Sequence, residues 1–226
     1  MKFSFDFLET PVHIDGLTSI TIEDTRIFAK IVSELYKYSE DTNYIKLFDN
    51  NYNTIKPVEI MLITDILGFD INSAMVKKRI FTDLELQISD NPILKTRVEN
   101  LLTETTHLIA EEILDFEIDL EFEEITFAKL FHALAIQVEI ETDTVFERLL
   151  DIVRIFKYLP RKEVLILVNC GSYLLPAEAT ELESCARLQN VKILMFDRIK
   201  IKGLSRCFVL DEDYVMLEEK NHSEYS

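Results

Sequence analysis

Val164-Leu165-Ile166-Leu167-Val168, followed by Asn169-Cys170-Gly171-Ser172, is the stretch that decides the fold. A strand with one wet face alternates apolar and polar residues. An unbroken apolar run of this length, closed by turn formers, is instead covered on both faces, as in a parallel sheet flanked by helices. Working outward, residues 177–188 read as a helix and 191–196 as a second apolar strand. Upstream, Thr144-x-x-Glu147 is a capping box opening a helix that buries Val145, Leu149, Ile152, Val153 and Phe156, with Pro160 ending it. Downstream, 207–210 and 214–217 flank Asp211-Glu212-Asp213 as a hairpin.

The other end of the chain has the same character. Residues 3–8 alternate as a first strand rather than a signal peptide. Pro11 breaks it, Asp15-Gly16 is a turn signal, and 19–22 is a strand. Asp24 or Thr25 then caps a helix whose stripe is Ile27, Phe28, Ile31, Val32 and Leu35. Short strands follow at 44–48 and 60–63.

After Leu67-Gly68 the period changes. Val76, Ile80, Leu84 and Ile88 recur every four residues. Asn91-Pro92 opens a second helix carrying Leu94, Val98, Leu101, Leu102, Leu108, Ile109 and Ile113, an amphipathic antiparallel partner for the first. A short helix at 126–134 and a strand at 136–140 complete this part. The reading is an α/β domain built from both ends of the chain, 1–66 and 142–226, with a helical domain, 67–141, inserted between them.

Composition excludes several classes. With 48% hydrophobic residues the chain builds a core despite a net charge of −17. No apolar run reaches the ~18 residues of a membrane span. Cys170, Cys185 and Cys207 lack metal-ligand spacing and read as reduced thiols of a cytoplasmic protein. The turn Ile22-Glu23-Asp24-Thr25 stands where a phosphate loop would, yet the chain has only four glycines and no G-x-x-x-x-G-K-[ST]. Glu23 and Asp24 would repel a triphosphate. Asn169-Cys170-Gly171-Ser172 lacks the G-x-S-x-G of a nucleophile elbow.

Residues 111–124 carry the densest charge. Eight of the fourteen are carboxylates: Glu111, Glu112, Asp115, Glu117, Asp119, Glu121, Glu123 and Glu124. From Asp115 to Glu123 acids alternate with Phe116, Ile118, Leu120 and Phe122, so an extended chain gathers them on one face. A helix would instead group Glu117, Glu121 and Glu124. Such a face is either a solvated surface or an oxygen-ligand site for Ca²⁺, and the spacing is not that of an EF-hand. Bases are segregated elsewhere. Lys77-Lys78-Arg79 is either a solvated helix flank or a phosphate contact. From Arg148 to Arg206, eleven bases face six acids.

Several phrases resemble one known family. They are Ile22-Glu-Asp-Thr-Arg-Ile-Phe-Ala-Lys-Ile-Val32, Glu59-Ile-Met-Leu-Ile-Thr-Asp-Ile-Leu-Gly-Phe-Asp-Ile-Asn-Ser73, Asp119-Leu-Glu-Phe-Glu-Glu-Ile-Thr126, Ile155-Phe-Lys-Tyr-Leu159 and Leu210-Asp-Glu-Asp-Tyr214. Over nearly its whole length the chain resembles the small spacer-acquisition proteins of type II-A CRISPR systems. The resemblance implies an α/β, degenerate P-loop-ATPase-like head with an inserted α-helical leg and no working nucleotide site. It further implies a non-enzymatic, ring-shaped homotetramer that holds double-stranded DNA, preferentially at ends, and works with the CRISPR integrases and the RNA-guided effector nuclease. It implies bound Ca²⁺, with ligands among Glu117, Asp119, Glu121, Glu123 and Glu124. Lys77, Lys78, Arg79 and Lys129 are the bases of the helical part assigned to DNA. The competing expectation is a diverged nucleotide-binding or nucleotide-hydrolysing protein.

Overall fold

The chain forms β1 (Lys2–Phe5), β2 (Val12–His13), β3 (Leu17–Ile22), α1 (Thr25–Tyr36), β4 (Ile45–Phe48), β5 (Ile60–Ile63), α2 (Ala74–Ser89), α3 (Pro92–Ile113), α4 (Phe127–Ala133), α5 (Val145–Tyr158), β6 (Val164–Val168), α6 (Pro176–Leu188), β7 (Ile193–Asp197), β8 (Arg206–Leu210) and β9 (Met216–Lys220). The computed structural model describes every residue except 7, 9, 116, 140–143, 160, 212 and 221–226, and all but the side chain of Lys220. It divides into two units, Met1–Asp70 with Glu141–Ser226, and Ile71–Ile140. No helix among the described residues is long and apolar enough to cross a membrane.

The first unit is α/β with a mixed sheet of order β5-β6-β7-β3-β8-β9. Strands β5, β6, β7, β3 and β8 run parallel, and β9 closes one edge antiparallel to β8. All five residues of β6 and all five of β7 are buried, as their unbroken apolar sequences require. On one face Ile20, Ile22, Ile166, Val168, Leu194 and Phe196 pack with α1 and with a small antiparallel sheet, β2-β1-β4. The ring of Phe3 meets that of Phe196 nearly edge-on, centroids 5.1 Å apart, and so joins the two sheets. The alternate residues, Leu165, Leu167, Ile193 and Met195, are buried toward the opposite face, where α6 touches β3 and α5 packs on α6.

Local chemistry sets the boundaries. Thr144 and Glu147 form the capping box of α5. Asn91 caps α3, with Pro92 at its first position. Arg148 on α5 donates to the carbonyls of Ile66 and Phe69 at 2.8 and 2.6 Å, fixing the segment after β5.

The second unit is helical. Phe81, Phe127 and Phe131 are its buried cluster, with Ile80, Leu84, Ile88 and Val98 packed around them. The stripe expected on α3 is not buried: Leu101 is 55% and Leu108 61% exposed, and no α3 residue is buried.

Four further expectations need correction. The first strand stops at Phe5 instead of running to Leu8, because Asp6 turns the chain there. Residues 136–139 form no strand. The side-chain amide of Asn72 accepts from Val138 N–H and donates to Val138 C=O, at 2.8 and 3.0 Å, taking the place of a neighbouring strand. The last strand starts at Met216, not Tyr214. Tyr214 has φ +63° and belongs to the turn, whose amides at Asp213 and Val215 donate to the Asp211 carboxylate. Finally, 115–123 is neither strand nor helix among the described residues. Among the described residues no strand pairs with it, and like charges on one face disfavour pairing. Ile140 and Pro160 lie outside the described residues.

Candidate nucleic-acid and metal-binding site

The acidic segment begins where α3 ends. Leu114 N–H closes the last turn on Glu111 C=O at 3.3 Å, so Glu111 and Glu112 are helical. From there to Thr126 the chain is irregular. Glu117, Asp119, Glu121, Glu123 and Glu124 are all exposed, and Phe116 lies outside the described residues. Among the described residues no three His, Cys, Asp or Glu side chains gather as a metal cradle. The donor chemistry nevertheless suits Ca²⁺, since it is carboxylate oxygen throughout.

The basic residues divide into two kinds. Lys77, Lys78 and Arg79 stand in the first turns of α2, at successive ~100° steps, so they do not share one face. Arg79 is bound to Asp83 at 3.0 Å. Lys77 and Lys78 pair with no carboxylate among the described residues. Lys129 is placed by α4. Phe127 and Phe131 are buried against Phe81, and the His132 ring stands edge-on to Phe81 at 4.8 Å. That packing leaves Lys129 outward, and Thr126 caps the helix by accepting from Lys129 N–H at 3.3 Å. The Lys129 ammonium then reaches back to the Glu123 carboxylate and donates to Glu124 C=O at 3.2 Å. This hydrogen bond and the lysine's charge hold the Glu123 carboxyl below its ordinary range. The structure therefore brings one predicted base to the carboxylate of Glu123 and to the main chain of Glu124, a contact the sequence pattern does not announce.

At the carboxyl ends of the parallel strands, where open α/β sheets bind ligands, the first helix is already satisfied. Asp24 Oδ1 accepts from Arg26 N–H at 2.7 Å and Ile27 N–H at 2.9 Å. Those amides, led by Ile27, hold the Asp24 carboxyl low. A carboxylate thus occupies the donors that a phosphate would need. Sequence reading missed Asp197, which ends β7 with 1% exposure and accepts from Gly171 N–H. Its place at the end of a buried strand was the available signal. Cys170 is fully buried, and burial together with Asp197 drives its thiol well above the ordinary range, which disfavours the thiolate.

Comparison with known proteins places this architecture. Residues 37–214 match the model of the CRISPR-associated protein (Cas_Csn2) family. The CRISPR-associated protein Csn2 of Streptococcus agalactiae is 37% identical over 219 residues, covering 97% of this chain and 98% of that protein. Csn2 of Enterococcus faecalis is 37% identical over 220 residues, covering 97% of this chain and all of that protein. The crystal structure of Stu0660 of Streptococcus thermophilus shares the fold, with TM-score 0.55 and 12% identity over 98% of this chain and 76% of that one. On the near full-length identity and the family match, this chain belongs to the Csn2 family of CRISPR-associated proteins.

Proposed function

We propose that the protein is a non-catalytic double-stranded DNA-binding ring of spacer acquisition, four copies closing around a duplex at its end. Membership of the Csn2 family carries this reading. The partners it implies are the integrases and the RNA-guided effector nuclease of the same system. Lys77 and Lys78, which pair with no carboxylate among the described residues of the chain, supply phosphate contacts without sequence preference. Fourfold symmetry multiplies a modest basic patch around one duplex. The first unit is read as a P-loop-ATPase-like head that has lost its phosphate loop. Asp24 on the α1 amides speaks against the rival reading, a diverged nucleotide-binding or hydrolysing protein.

Calcium belongs to the same proposal. Glu117, Asp119, Glu121, Glu123 and Glu124 would hold it, on a segment with no strand or helix among its described residues. Bound there, Ca²⁺ would neutralise carboxylates in a chain of net charge −17 and stabilise the tetramer.

The test is a comparison of linear and covalently closed circular duplexes across salt, with native mass recorded alongside. A ring threads an end, so linear DNA binds more tightly and affinity falls steeply with salt. Equal affinity for the two forms would overturn the ring. Micromolar ATP binding by calorimetry with Mg²⁺ would revive the nucleotide reading.

A further inference from the structure

We infer that the Glu123–Lys129 contact is an autoinhibitory lock, in which the acidic segment competes with duplex phosphates for Lys129. This deepens the proposed function and rests on its DNA-binding reading. Lys129 is the only Lys or Arg between residues 99 and 147, against fourteen acids. It stands on the outer side of α4, fixed from below by the Phe81, Phe127 and Phe131 cluster. Its ammonium is nevertheless engaged twice, by the Glu123 carboxylate and by the main-chain carbonyl of Glu124. A carboxylate and a carbonyl oxygen offer a lysine what a phosphodiester offers it: a charged acceptor with a second oxygen nearby. The same segment carries Asp115, Glu117, Asp119 and Glu121, so it presents a polyanion that turns back onto the chain's own base.

The contact is suited to exchange. The side chains of Lys129 and Glu123 are 47% and 84% exposed, so solvent screens the pair and a phosphate reaches it without unfolding anything. An exposed pair of this kind shifts an equilibrium by about two- to fivefold. Duplex binding must break it, and the affinity of Lys129 for phosphate is lowered by that factor. The lock therefore grades DNA binding rather than abolishing it.

The experiment separates contact from net charge. Glu123→Gln is compared with Glu112→Gln, which removes an equal charge from the end of α3. The first readout needs no DNA. Amine labelling of Lys129 in EGTA, followed by peptide mass and normalised to Lys78, should be about two- to fivefold faster in Glu123→Gln only. The second readout is anisotropy with a linear duplex in EGTA, where no metal ion competes with Lys129 for Glu123, with wild type measured in Ca²⁺ as well. Glu123→Gln should bind about two- to fivefold more tightly than Glu112→Gln, and this excess should vanish when Lys129→Met is added. Equal labelling in the two variants, or an excess that survives Lys129→Met, overturns the lock while leaving DNA binding intact. A wild-type protein that binds no duplex in either condition overturns the DNA reading, and the autoinhibitory role with it.

Discussion

The main-chain N–H of Gly171 donates to Oδ1 of the buried Asp197 at 2.7 Å, across 26 residues of sequence. The other carboxylate oxygen, Oδ2, has no hydrogen-bond partner among the described residues. Burial therefore pushes the Asp197 carboxyl up to about 6 from 3.8. Between those values the folded chain binds more protons than the unfolded one, so this group makes stability fall as pH rises through that window. Above it the ionised form costs the fold about 1–3 kcal/mol. Asp197→Asn keeps an acceptor for Gly171 and removes the charge. Urea unfolding should show it more stable than wild type at pH 8 by about 1–3 kcal/mol, with the gain gone at pH 4. An equal effect at both pH values would mean that charge is not the cause.

Asp24 behaves in the opposite sense. Its carboxyl is held low by the Ile27 and Arg26 amides, so its capping contribution is present above the ordinary aspartate range and lost as pH falls through the lowered value. Asp24→Ala should reduce Tm at pH 7 by about 2–4 °C, and the gap should close under strong acid. Calorimetry should detect no ATP binding in either form.

Phe3 carries the contact between the two sheets of the first unit. It is fully buried against Phe196. Phe3→Ala should destabilise by about 3–5 kcal/mol, and Phe3→Leu by less, in urea titrations. Near-wild-type stability in Phe3→Ala would mean that the small sheet does not support the large one.

Removing calcium tests the acidic segment. EGTA should lower Tm or dissociate the oligomer, and Glu121→Gln combined with Glu124→Gln should do so without chelator. If mass and melting stay unchanged under both treatments, the acids form a solvated face only.

What was legible in the sequence was what short-range chemistry dictates. The unbroken apolar run at 164–168, the cap-and-proline pair Asn91-Pro92 and the Thr144–Glu147 box each specify an element through neighbours a few residues away. What was not legible depends on distant partners. The alternation at 115–123 reads as a strand in isolation, but no strand among the described residues pairs with it. Val138 is held by Asn72, 66 residues earlier, so its local propensity was overridden. The DNA assignment of Lys129 rested on its charge and on the role that the family resemblance implies for the helical part. Its engagement with Glu123 follows from the way the segment before α4 turns back, which no periodicity encodes.

The position of β3 has a consequence for biosynthesis. Ile20 pairs with Phe196 on one side and Phe208 on the other, so a strand made near the start of translation waits for two made near its end. At about 5–20 residues per second the delay is roughly 10–40 s, long enough for the whole of 71–140 to leave the ribosome first. Throughout that interval Ile20 and Ile22 lack the strand partners they have in the fold, so closure of the first unit is expected to be slow relative to a locally wired helical segment.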